Sequence, residues 1–75
     1  MNGAFVELIK IEFAGGSTIK DAIGKARDIA DQYDTTVVFD FNSVEMAISP
    51  KSKANTFQII DMYNAELNRK RRVEV

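Results

Sequence analysis

The stretch TVVFDFNSVEMAIS, residues 36–49, decides the fold of this chain. Two alternating runs flank the polar dipeptide Asn42-Ser43, which is typical of two strands joined by a tight hairpin turn. Because a two-residue turn places the residues beside it opposite each other, one face pairs only apolar side chains: Phe41 with Val44, Phe39 with Met46, and Val37 with Ile48. We predict strands over 36–42 and 44–49 in this register, since a slip of one residue would expose the apolar face.

A strand and a helix are predicted before the hairpin. Residues 5–13, FVELIKIEF, alternate apolar and polar side chains in their second half, which indicates a strand over 5–13. Ser17 or Thr18 then offers a helix N-cap, and apolar residues recur at three- and four-residue spacing as far as Tyr33. We therefore predict a helix over 18–33, in which the small Gly24 permits a close approach to the sheet.

A second helix is predicted after the hairpin. Ser49-Pro50 is a helix-start signal, because proline fits the first helical position, and Ser52 is an alternative cap. Apolar residues then recur at helical spacing, which predicts a helix over 51–71. Its end overlaps a basic tail, residues 69–75, whose cations suit the negative end of a helix dipole.

The predicted order is β-α-β-β-α, which indicates an α+β fold in one domain, residues 1–75. The architecture we expect is a two-layer sandwich, with a three-stranded sheet covered by two helices on one face. The first strand can lie beside either the second or the third. The side chains predicted to be most buried are Ile9, Ile11, Ile23, Ile29, Phe39, Phe41, Met46, Ile48, Phe57 and Ile60.

Composition excludes several classes of site. The 75 residues contain no cysteine and no histidine, so disulfides, thiolate zinc sites and histidine general bases are absent. No apolar run is long enough to span a membrane, and residues 1–13 do not resemble a signal peptide. We therefore expect a cytoplasmic protein with no membrane partner, no cofactor and no metal. Charge is uneven: residues 1–68 hold six Lys/Arg and ten Asp/Glu, whereas residues 69–75 hold four and one.

The outward face of the predicted sheet is the first candidate site. Small and medium aliphatic side chains group at one end of this face and charged side chains at the other. Because both helices are needed on the inner face, we expect the outer face to bind a protein partner or a second copy of the chain. Asp40 and Glu45 oppose each other across the hairpin, with Lys10 as the expected neutralising cation. The predicted partner-binding residues are Val6, Leu8, Lys10, Val38, Asp40, Glu45 and Ala47.

The basic run Arg69-Lys70-Arg71-Arg72 is the second candidate site, because short basic clusters bind nucleic-acid phosphates. The acidic body and the lack of interleaved surface aromatics favour a solvated helix end instead. Catalytic, cofactor and metal motifs are absent from the sequence, and Gly15-Gly16-Ser17 lacks the spacing of a phosphate-binding loop. We expect neither an enzyme nor a small-molecule substrate.

The order of the helix and hairpin resembles that of small accessory proteins of phages and prophages. In these, an A-x-x-I-A-x-x-Y helix precedes an F-x-F-N-x-V hairpin. The matching residues are Ala26, Ile29, Ala30, Tyr33, Phe39, Phe41, Asn42 and Val44, whereas Ser43 replaces the more usual glycine of the turn. The resemblance implies a small phage accessory or host-interaction protein in the host cytoplasm. We therefore expect a non-enzymatic protein-interaction domain, a phage-encoded modulator or inhibitor of a host protein that acts by surface binding. The alternative is a nucleic-acid-binding accessory protein that uses its basic C-terminal end.

Overall fold

The chain forms an α+β fold with two helices and a four-stranded mixed sheet, seen in a computed structural model that describes residues 8–67, 69 and 72–75. The elements in order are β1 (Leu8–Lys10), α1 (Ile19–Tyr33), β2 (Thr36–Phe41), β3 (Val44–Ile48), α2 (Thr56–Leu67) and β4 (Arg72–Glu74). Neither described helix is both long enough and apolar enough to cross a membrane.

The sheet has the order β1-β2-β3-β4 and is built outward from the hairpin. The predicted register is confirmed: Phe41 faces Val44, Phe39 faces Met46 and Val37 faces Ile48. β1 lies parallel beside β2, which decides the position of the first strand. The prediction of three strands is wrong, because the chain turns back after α2 and adds β4 parallel to β3.

The hairpin turn is built from two residues with left-handed backbone. Asn42 has φ 49° and Ser43 has φ 68°. Positive φ at both central positions defines the turn whose twist matches that of the flanking strands. Asparagine tolerates this conformation well, whereas serine adopts it at a steric cost. The turn therefore has the predicted geometry despite the lack of a glycine.

β1 is shorter than the predicted strand over 5–13. Residues 5–7 lie outside the described residues, and the strand ends at Lys10. Ile11 still donates its backbone N–H to the Val38 carbonyl at 3.0 Å, but Glu12 and Phe13 leave the ladder. Phe13 instead packs edge-to-face on Phe39, with ring centroids 5.2 Å apart. The chain therefore turns toward α1 earlier than the alternation indicates.

α1 begins and ends close to the predicted residues. The Thr18 hydroxyl accepts a hydrogen bond from the Asp21 backbone N–H at 3.1 Å, which satisfies one of the donors exposed at the helix start. After Tyr33, Asp34 takes a left-handed backbone and donates its N–H to the Ala30 carbonyl. Tyr33 itself is exposed, although the spacing placed it on the apolar stripe. The buried stripe consists of Ala22, Ile23, Ala26 and Ala30.

α2 is shorter at both ends than the predicted helix over 51–71. Its cap is Asn55, whose side-chain oxygen accepts from the Gln58 N–H while the Gln58 side-chain oxygen accepts from the Asn55 N–H, both at 2.8 Å. This reciprocal capping box, and not Pro50 or Ser52, starts the helix. The helix ends at Leu67, and the described basic residues Arg69 and Arg72 lie outside it, in a turn and in β4.

The loop before α2 is attached to α1 by two long-range hydrogen bonds. The Arg27 guanidinium donates to the Ala54 carbonyl at 2.6 Å. The Asp31 carboxylate accepts from the Lys51 backbone N–H at 2.7 Å, which supports Lys51 in its left-handed conformation (φ 56°). Residues 50–54 are therefore an ordered connection that delays the start of the helix.

One core joins the helices to the inner face of the sheet. Ile23, Phe39, Met46 and Ile48 are fully buried, as predicted. Five other predicted core residues are only partly buried against this cluster: Ile9, Ile11, Ile29, Phe41 and Ile60. Phe57 was wrongly assigned to the core and is exposed. The other buried members of the cluster are Ala22, Ala26, Ala30, Val37, Val44, Ile59, Tyr63 and Val73.

Candidate interaction surfaces

The outer face of the sheet carries its side chains in rows that follow the register. One row runs Lys10, Val38, Ala47 and Glu74 across all four strands. The next row contains Asp40, Glu45 and Arg72. Two small aliphatic residues therefore lie between charged residues on both outer strands.

The predicted apolar patch on this face is largely closed. Val38 and Ala47 are only 7% and 4% exposed, although neither belongs to the inner core cluster. The exposure predicted for these two side chains is therefore wrong, and Glu74 of β4 lies beside Ala47 in the same row. Partner binding by this face stays a prediction. Leu8 does remain 53% exposed. Val6 lies outside the described residues.

The opposed carboxylates of Asp40 and Glu45 are present as predicted. The cation that contacts Glu45 is Arg72, whose Nη1 lies 3.1 Å from Glu45 Oε1, and not the predicted Lys10. Arg72 also places Nε 3.3 Å from Glu74 Oε1. Because β4 was absent from the sequence prediction, the source of this cation was missed. The charged row is thus stabilised by a strand neighbour, as expected for cross-strand pairs of opposite charge.

The basic run does not form one cluster at a helix end. Arg69 lies exposed in the turn after α2, where its backbone N–H donates to the Glu66 carbonyl at 3.0 Å. Arg72 belongs to β4 and to the outer sheet face, where two carboxylates contact it. Lys70 and Arg71 lie outside the described residues. A phosphate that binds Arg72 must compete with Glu45 and Glu74.

Gly15-Gly16-Ser17 forms a tight turn before α1. Gly16 has φ 91°, and Ser17 donates from both its N–H and its hydroxyl to the Ala14 carbonyl. The turn lines a concavity of about 300 Å³ together with Asp40. A carboxylate at this position opposes phosphate binding. Among the residues that the structure describes, no three Asp or Glu side chains are grouped as metal ligands.

A groove between α1 and the start of α2 is the surface that sequence reasoning missed. It has a volume of about 610 Å³, and its lining includes Phe13, Lys20, Gly24, Thr56 and Phe57. Phe57 is 68% exposed, the largest exposed fraction of any bulky apolar residue described. Residues two positions apart in a helix point about 200° apart around its axis. Because Ile59 is buried, Phe57 therefore points away from the core and toward the groove.

The groove has the aromatic ring of Phe57 on one side and the open position of Gly24 on the other. Lys20 Nζ lies 5.7 Å from the centre of the Phe57 ring, a cation–π contact at the rim. A Cβ on Gly24 would meet no described atom within 4 Å, so the prediction that this glycine allows α1 to approach the sheet is wrong. Its missing side chain instead keeps the groove open beside α1. The Asn55-x-x-Gln58 capping box was the signal in the sequence that could have revealed the start of α2.

Comparison of the chain with protein-family models gives no match, and comparison with curated proteins and with solved structures gives no significant match. The surfaces described above are therefore the basis for any functional assignment. The resemblance to phage accessory proteins stays an expectation.

Proposed function

We propose that this chain is a non-enzymatic protein-interaction domain that binds its partner through the groove between α1 and α2. The observation that carries the proposal is the exposed Phe57 ring at the mouth of this groove. Burying an aromatic ring contributes strongly to binding, and aromatic residues are enriched at protein interfaces. An exposed ring beside an open groove therefore supports a contact with an apolar group of another protein.

The chemistry of the groove defines the partner. Phe13 and Phe57 supply apolar surface, while Lys20, Lys25 and Asp28 supply charges of both signs along α1. An apolar centre with a polar rim is the usual anatomy of a protein interface. The proposed partner is a protein segment that inserts an apolar side chain between the two rings. A host protein bound by a phage-encoded modulator is the partner class that the sequence resemblance suggests.

The outer sheet face offers less apolar surface for such a contact. Leu8 is exposed there, with Lys10 and Asp40 as charged neighbours, but Val38 and Ala47 are buried. A nucleic-acid function has less support, because the charge of Arg72 is compensated by two carboxylates. We therefore favour the groove over both surfaces predicted from the sequence.

Affinity capture from host-cell lysate tests the proposal, with three purified proteins as bait: the wild type, Phe57→Ser and Tyr33→Ser. Tyr33 is a matched control, because it is also an aromatic residue on a helix and is 59% exposed, but it does not line the groove. We expect proteins captured by the wild type to be retained by Tyr33→Ser and lost with Phe57→Ser. For a purified partner, Phe57→Ser should raise the dissociation constant at least tenfold, which corresponds to a loss of about 1.4 kcal/mol of binding free energy. Circular dichroism checks that both variants fold.

Equal capture by all three proteins would exclude the groove. Leu8→Lys then tests the outer sheet face in the same assay. If the bound material is instead nucleic acid, removed by nuclease and weakened by salt, the double change of Arg69 and Arg72 to serine should abolish its binding. That result would replace the proposed function with the nucleic-acid alternative.

A further inference from the structure

β4 lies at the end of the sheet and has one edge open in the part of the chain that the structure describes. The other edge is hydrogen-bonded to β3. Val75, directly after β4, continues this pairing: it donates its N–H to the Ala47 carbonyl at 2.9 Å, and its carbonyl accepts from the Ser49 N–H at 2.7 Å. Successive residues of a strand direct their backbone groups to opposite edges. The N–H and C=O groups of Arg72 and Glu74 therefore point to the open edge.

This edge is complementary to itself. If a second copy approaches so that its Val73 lies opposite Val73, the antiparallel strands place Arg72 of each copy opposite Glu74 of the other. Opposed residues whose backbone groups face each other exchange two hydrogen bonds. Arg72 and Glu74 are the residues whose groups face outward, so the arrangement forms four backbone hydrogen bonds between the copies.

The side chains select the same arrangement. Arg72 and Glu74 both lie on the outer sheet face, with side chains 46% and 69% exposed. An antiparallel dimer through this edge places opposite charges across the interface on one face of the sheet. A parallel dimer through the same edge turns one copy over, so the charged side chains of the two copies lie on opposite faces and do not pair. Opposite charges across a strand pair stabilise it and like charges destabilise it. The twofold antiparallel dimer is thus favoured by both the backbone and the charges.

The helix side of this edge also has surface to bury. A groove of about 260 Å³ lies between α2 and β4, with Met62, Ala65 and Val73 as its apolar lining and Glu66, Arg72 and Glu74 as its charged lining. Met62 is 44% exposed. A twofold axis perpendicular to the sheet keeps both copies of α2 on one side, so each Met62 approaches the other copy.

We propose that the chain forms a twofold dimer through β4, in which two four-stranded sheets join into one continuous eight-stranded sheet. An interface of this kind uses the same patch on both copies. Pairing also removes an open strand edge, which otherwise tends to recruit other strands. The inference goes beyond the proposed function, because it concerns β4 and not the groove that contains Phe57.

Two charge variants test the proposal by sedimentation equilibrium. Glu74→Arg gives β4 two positive charges, and Arg72→Glu gives it two negative charges. We expect the wild type to dimerise and each variant alone to have a dimer dissociation constant raised at least tenfold. An equimolar mixture of the two variants should form a heterodimer with the affinity restored, because opposite charges again face each other. Restoration by mixing separates this contact from any effect within one chain.

Hydrogen exchange followed by NMR tests the geometry without substitution. Diluting the wild type should speed exchange at the Arg72 and Glu74 amides at least tenfold, while the Val73 and Val75 amides, which face β3, stay protected. A monomeric wild type at millimolar concentration, a dimer unaffected by both charge variants, or a mixture that does not associate would overturn the proposal. Phe57→Ser should leave the dimer intact, and the β4 variants should leave partner capture intact, so the two proposals fail separately.

Discussion

The side-chain amide of Asn42 donates a hydrogen bond to the hydroxyl oxygen of Tyr63 at 2.8 Å. This bond joins the hairpin turn to the middle of α2, 21 residues away in the sequence. The Tyr63 ring is buried and packs edge-to-face on Phe41, with centroids 5.8 Å apart. The polar end of the tyrosine thus fixes the turn while its ring fills the core, a usual division of roles for a buried tyrosine.

Removing the Tyr63 hydroxyl should show how much this hydrogen bond contributes to the free energy of unfolding. We expect Tyr63→Phe to lower the free energy of unfolding by about 0.5–1.5 kcal/mol, because the ring is kept and only the hydrogen bond is lost. Urea denaturation followed by circular dichroism measures the change. Tyr33→Phe is the control, since Tyr33 is exposed, and it should have no effect. Equal stability of the Tyr63 variant and the wild type would show that the bond contributes nothing.

Replacing the second turn residue with glycine should stabilise the hairpin. Ser43 has φ 68°, a conformation that strains L-residues but not glycine. We expect Ser43→Gly to raise the free energy of unfolding by about 0.5–1 kcal/mol, the steric relief less the added entropy of the unfolded chain. Ser49→Gly is the matched control. Because Ser49 has no positive φ, this substitution should lower the free energy of unfolding of the protein. A lower melting temperature for Ser43→Gly would contradict this account of the turn.

The hairpin and α1 could be predicted because local signals and burial agree there. Alternation from Val37 to Ile48 has only one register that buries all the apolar residues, and the Asn42-Ser43 turn fits it. α1 has a threonine cap and small apolar residues at helical spacing, so pattern and packing again coincide. A structure can be predicted from sequence where local propensity, hydrophobic pattern and packing all favour the same arrangement.

β4 could not be predicted, because it contains one buried residue between two charged ones. A single apolar position, Val73, gives no period, and the basic residues before it are equally typical of a helix end. Its strand character comes from tertiary pairing with β3, which local propensity does not encode. The same omission led to the wrong cation for Glu45 and the wrong exposure of Ala47. The groove was missed because Phe57, Ile60 and Tyr63 recur at helical spacing, which predicts a shared buried face. The structure instead buries Ile59 and Tyr63 and leaves Phe57 exposed.

Gly24 within α1 and Gly16 before it should respond in opposite directions to alanine. Gly24 lies within the helix and has open space around its Cβ position among the described atoms, so Gly24→Ala should stabilise the protein by about 0.5–1 kcal/mol. Gly16 has φ 91°, so Gly16→Ala should destabilise it by roughly 1 kcal/mol or more. Thermal denaturation of both variants measures the pair. Destabilisation by Gly24→Ala would show that this glycine packs closely against another part of the chain.

Two phenylalanines separate the core from the proposed binding surface. Phe39 is fully buried against Phe13, so Phe39→Ala should cost about 3–5 kcal/mol, a large share of the stability of a small domain. Phe57→Ala removes the same atoms from an exposed position and a cation–π contact with Lys20, and should cost about 1 kcal/mol at most. Chemical denaturation of both variants gives the comparison. If Phe57→Ala were as costly as Phe39→Ala, Phe57 would be a core residue and unavailable to a partner. A small cost combined with lost partner capture would instead assign Phe57 to binding, because an exposed ring that contributes little to folding is free to contribute to an interface.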